Sequence, residues 1–137
     1  MLNGRIAATL EAKGHRLTGS RRAIVQAVLA SDDLFSIGDL QRTLPNVGRA
    51  TIFRTMKLLV DLDLVCRIAL EDGSVRYRVS RHSAHHHHII CTACSSAEDF
   101  ADCDLDAMTA QLAYRTDYDI QGHRLELYGL CPTCRTR

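Results

Sequence analysis

Two Cys-x-x-Cys pairs constrain this chain more than any other feature. Cys91-Thr92-Ala93-Cys94 and Cys131-Pro132-Thr133-Cys134 leave 36 residues between Cys94 and Cys131. Four thiolates so spaced make a full tetrahedral set for Zn²⁺ and leave no position open for substrate, which is the form of a structural site. Zinc bound there would contribute directly to folding. The histidine run His85-His86-His87-His88 enters the first pair through Ile89-Ile90. If the run is a strand, alternate side chains point to opposite faces. His85 and His87 then form one pair and His86 and His88 another, enough to seed two metal sites. A solvated His-rich loop is the plainer alternative.

Bulk charge names no partner, because the formal net charge is +1. Its distribution does. Residues 1–80 carry 12 Lys/Arg against 8 Asp/Glu, and residues 81–137 carry 5 against 8. A basic front half suits an anionic partner, and an acidic, His/Cys-rich back half suits cations. The expected division is a domain over 1–80, a hinge over 81–84 and a second domain over 85–137. No stretch approaches the ~20 apolar residues of a membrane span, and no N-terminal run reads as a signal peptide. A cytoplasmic location is expected, where six cysteines favour metal over disulfides.

The first half reads as four helices and a hairpin. Leu2 to Lys13 carries an apolar stripe ended by Gly14. A second helix is capped by Thr18 or Ser20 and closed by Asp32-Asp33. A third is capped by Ser36 and stopped by Pro45. The fourth runs from Arg49 to Asp61. Its inner face is Ile52, Thr55, Met56 and Leu59; its outer face is Ala50, Phe53, Arg54 and Lys57. A cationic last helix is the pattern of a helix-turn-helix that enters a major groove. Val65 to Leu70 and Ser74 to Val79, joined at Glu71-Asp72-Gly73, make a hairpin. The class is therefore α+β, an N-terminal winged helix followed by a small α/β domain. In that second domain we expect strands over 86–91 and 98–101, a helix over 104–115 and a long strand from Tyr118 to Leu130. So small a domain rarely buries enough core alone, so a symmetric homodimer is expected. Cys103 and His15 read as bland, Cys103 as a small buried side chain with no partner thiol in sequence.

The residues resemble the Fur family of bacterial metal-responsive repressors. The matching strings are Arg16-Leu17-Thr18 with Arg21, Gly48 to Leu59, Asp72-Gly73 before Arg76-Tyr77, His86 to Cys94, and Gly122 to Cys131. The resemblance implies a dimer that binds palindromic, double-stranded operator DNA when a regulatory metal clamps its two DNA domains. Arg54 matches the arginine of the recognition helix. Phe53 stands where the family usually has tyrosine, so ring contact with a thymine methyl survives without the phenol hydrogen bond. Arg16 matches a minor-groove residue, Arg21 and Lys57 match phosphate contacts, and Thr51 belongs to the same helix start.

The resemblance also implies a regulatory site at Cys66, His86 and His88. The usual hinge ligand falls on Val79 or Ser80, neither a good ligand, with His82 the nearest substitute. A second site follows at His85, His87, Asp106 and His123, suited to Zn²⁺ and acceptable for Fe²⁺ or Mn²⁺. The Cys66 thiolate favours zinc over iron. Phe35 occupies the position where the peroxide-sensing branch has a histidine. The expectation is a zinc-responsive repressor of metal-uptake genes, with an iron-responsive regulator as the alternative. Two readings from other classes are a zinc-ribbon adaptor with purely structural metal, which leaves the histidines without a role, and a zinc hydrolase, for which no His-Glu-x-x-His is present.

Overall fold

The structure, a computed structural model, describes residues 2–31, 34–80, 86–101 and 105–137. It divides into two compact units, Met1–Ser83 and Ala84–Arg137. The expected hinge and the Asp32-Asp33 helix stop lie outside the described residues, as do His82, His85 and Cys103.

In the first unit, α1 (Leu2–Ala12) ends where Gly14 turns left-handed at φ 78°. That conformation lets the His15 N–H reach the Leu10 carbonyl at 2.9 Å, closing the helix end. Helix α2 (Gly19–Ala30) starts at Thr18, whose hydroxyl accepts from the Arg21 N–H. Helix α3 (Ile37–Thr43) starts at a full capping box between Ser36 and Asp39. Helix α4 (Arg49–Asp61) buries Ile52, Thr55, Met56 and Leu59, the four residues expected on its inner face. Ile6, Leu10, Ile24, Val28, Leu40 and Phe35 complete the core with them.

Strands β1 (Val65–Ala69) and β2 (Val75–Val79) pair antiparallel, Val65 opposite Val79 and Ala69 opposite Val75. Their turn works because Gly73 holds φ 86° and Asp72 accepts from both the N–H and hydroxyl of Ser74. Phe35 is buried and exchanges two backbone hydrogen bonds with Tyr77, which ties the wing to the start of α3.

The second unit holds β3 (His87–Cys91), β4 (Ala97–Phe100), α5 (Leu105–Thr116), β5 (Glu126–Gly129) and α6 (Pro132–Arg135). The sheet order is β4-β3-β5, with β4 antiparallel and β5 parallel to the central strand. The long strand expected from Tyr118 to Leu130 is a correction: only Glu126–Gly129 is a strand. Alternating side chains do not make a strand without a backbone partner. β3 offers β5 only His88 to Cys91, and residues 118–125 precede that register. The core of this unit is thin. Ile90 and Cys91 are its buried apolar residues among those described, while Met108, Tyr114, Tyr118, Leu127 and Leu130 are exposed.

Candidate metal centres and the cationic helix

The four knuckle cysteines converge although they come from distant parts of the chain. β3 delivers Cys91 at its end, the turn after it delivers Cys94, and Cys131 and Cys134 flank the first turn of α6. The four Sγ atoms all lie within 4.8 Å of one another, and Cys94 to Cys131 is 3.9 Å. A tetrahedral ion with Zn–S bonds of about 2.3 Å needs sulfurs about 3.8 Å apart. The set therefore fits a structural Zn²⁺.

The electrostatics agree. The Cys131 and Cys94 backbone N–H groups draw the Cys91 thiol down to about 6. The Ser96 hydroxyl lowers Cys94. Neighbouring sulfur, Cys131 first, pushes Cys134 up to about 12. Four thiolates this close cannot all ionise without a cation among them.

The histidine strand presents two environments. His86 and His88 lie with ring centroids 5.0 Å apart, edge to face. His88 is buried, and its Nε2 is 3.5 Å from an Asp99 carboxylate oxygen, its cross-strand neighbour on β4. His87 is buried on the other side of the alternation. Its Nε2 is 3.2 Å from His123 Nε2. Two nitrogens bound to one tetrahedral ion at about 2.05 Å sit about 3.3 Å apart, so this pair has ligand spacing. Asp106 lies exposed in the first turn of α5, outside the groups of three or more close ligand atoms found among the described residues. In the first unit, Cys66 is half-buried on β1 and is not in a disulfide.

The outer face of α4 is exposed at Ala50, Phe53, Arg54 and Lys57. Arg54 Nη2 donates to Thr51 Oγ1 at 3.3 Å, and Lys57 pairs with Asp61 at 2.9 Å. Arg16 is exposed, and its carbonyl accepts from Arg21 Nη1 at 2.8 Å. Arg21 thus braces the segment that carries Arg16.

Two residues join these sites that sequence reasoning passed over. Asp99 could be found only once the strand register was known. Arg49, one turn before Phe53, places its guanidinium over the Phe53 ring, 5.3 Å from the centroid. Helical spacing alone puts the two about 40° apart on one face.

The profile of the Ferric uptake regulator family matches residues 12–128. The chain belongs to that family. The peroxide-responsive repressor PerR of Staphylococcus epidermidis is 31% identical over 132 residues, covering 93% of this chain and 87% of that protein. The ferric uptake regulator of Vibrio cholerae superposes with a TM-score of 0.62 at 26% identity, over 91% of this chain and 98% of that one. A zinc uptake regulator solved with zinc and DNA gives a TM-score of 0.80 at 18% identity, over 98% and 93%, a likeness of fold. Members of the family are metal-responsive transcription regulators, not enzymes. This chain is accordingly a metal-dependent transcriptional repressor, and the hydrolase and adaptor readings give way.

Proposed function

We propose that the protein is a zinc-responsive homodimeric repressor of metal-uptake genes that binds operator DNA through α4 and the wing. The regulatory ion is held by Cys66, His86 and His88, with His82 as a further candidate, and a second ion by His85, His87, Asp106 and His123. The observation that carries this reading is the donor set. Cys66 is a thiol outside the four-cysteine cluster, and soft sulfur with imidazole suits Zn²⁺. Phe35 offers no ligand where a peroxide sensor would need one.

Because Cys66 and the histidines belong to different units, an ion they share is bound only in one arrangement of those units. Metal then shifts the population toward that arrangement, and DNA affinity rises by the difference in metal affinity between the two. Arg54 and the Phe53 ring face base edges, Thr51 supports Arg54, and Arg16, Arg21 and Lys57 hold the backbone.

A second reading rests on Asp99. Its carboxylate beside His88 is a hard ligand and favours Fe²⁺ or Mn²⁺ at the same place.

Operator binding titrated with Zn²⁺, Fe²⁺ and Mn²⁺ tests both. Zinc should tighten binding at the lowest free concentration, and Cys66→Ser should raise the zinc required by at least about tenfold. An affinity indifferent to chelator and to all three metals overturns the reading. An unaltered zinc response in Cys66→Ser, with loss of response in Asp99→Asn, favours the iron alternative.

A further inference from the structure

Resting on the DNA-binding reading above, we infer that Arg49, stacked on Phe53, is a further specificity-determining residue that reads a guanine edge in each half of the operator.

The start of α4 is poorly made as a helix start. Gly48 at the N-cap supplies no side-chain hydrogen bond, and the first turn holds no acidic residue. Arg49 then adds a cation at the positive end of the helix dipole, where a cation is disfavoured. Helix α3, nearby in the same unit, shows what a stabilised start looks like: Ser36 and Asp39 cap it reciprocally. Neither the cap nor the helix dipole rewards Arg49. Local rules broken in this way mark positions chosen for something other than folding.

The exception is the contact with Phe53. Phe53 is 44% exposed, so the ring is not held by the core. Arg49 lies over it at cation–π distance. The other cations of this helix are engaged within it, Arg54 with Thr51 and Lys57 with Asp61. Arg49 instead holds its guanidinium carbon over the exposed ring. The first residues of a recognition helix are those that meet base edges. A guanidinium held in place over a ring loses less freedom when its fork meets the two acceptors of guanine, O6 and N7. Phe53 is then a positioning residue for Arg49 as well as a contact for a thymine methyl. A ring without a phenol hydroxyl leaves its solvent edge apolar, and the polar reading at this place falls to Arg49.

The test is selection of binding sequences from random duplexes by the metal-loaded full chain, followed by affinities for every single-base variant of the selected duplex. Arg49→Ala should lose about ten- to a hundredfold in affinity for the selected duplex. The guanine preference at one base pair of each half should disappear, while affinity for unrelated DNA changes little. Arg49→Lys, which keeps charge but not the fork, should not restore that preference. Phe53→Leu should loosen the same base pair together with its neighbour, and Arg49→Ala should cost less in that background than alone. Equal weakening for every duplex would make Arg49 a phosphate contact and overturn the inference. So would an unchanged base preference in Arg49→Ala. If the wild type selects no sequence in the presence of metal, the DNA-binding reading itself fails.

Discussion

Ser36 and Asp39 exchange hydrogen bonds at 3.1 and 2.9 Å and between them start α3. Removing the hydroxyl, Ser36→Ala, should destabilise the first unit by about 1 kcal/mol in urea unfolding. The pairing also has a pH signature. The Ser36 backbone N–H, helped by its hydroxyl and by Arg42, holds the Asp39 carboxyl below its ordinary 3.8. A depressed folded value contributes stability above the unfolded value and loses it as pH falls through 3.8 and below. Exposure of the carboxylate keeps the effect under about 1 kcal/mol. Ser36→Ala keeps the backbone donor, so the acid limb of the stability curve should flatten only in part. Gly73→Ala tests a different cause. Nothing lies within 4 Å of an added Cβ, but φ is 86°. A loss of about 1 kcal/mol is expected from the backbone alone. Among residues, the knuckle cysteines and the histidine run declared themselves by spacing. Asp99 did not, because an acid next to Glu98 in a short segment acquires meaning only when β4 is laid beside His88.

The elements of the first unit were legible nearly to the residue. Their signals are local: Thr18 and Ser36 cap, Pro45 stops, and Asp72-Gly73 turns. The second unit was legible only in kind. Its central pairing is parallel, and it joins His88–Cys91 to Glu126–Gly129 across two other elements. Periodicity could not say where β5 begins, because that is decided by the length of β3. The knuckle holds these two strands at one end. In the metal-free cluster at pH 7, Cys134, near 12, keeps its proton while Cys91, near 6, has mostly lost it. Adding Zn²⁺ to metal-free protein should release at least one proton per site, measurable with a pH indicator in weak buffer. Cys131→Ser should abolish that release and expose the amides of β3 and β5 to hydrogen exchange. The amides of α2 and α4 should stay protected.

At the scale of the whole molecule, the two units differ in how completely they bury their apolar residues. The first unit has a closed apolar core, whereas the second leaves Met108, Leu127 and Leu130 about half exposed. A symmetric partner covering that apolar surface is the proposed remedy. Sedimentation should give twice the 15.3 kDa chain mass. A Met108→Lys, Leu127→Lys double variant should sediment as the single chain and lose cooperative operator binding, with the first unit still folded.

The knuckle closes a loop whose ends, Cys91 and Cys131, lie 40 positions apart. By loop entropy alone such a staple is worth about 4 kcal/mol, as much as a disulfide in a secreted protein. Unlike a disulfide, it is made by a ligand in exchange with its surroundings. While free zinc exceeds the dissociation constant of this knuckle, each tenfold change in its concentration shifts the resistance of the second unit to unfolding by about 1.4 kcal/mol, and well below that constant the contribution vanishes. The lifetime of the protein is thereby tied to the supply of the ion that fills this knuckle.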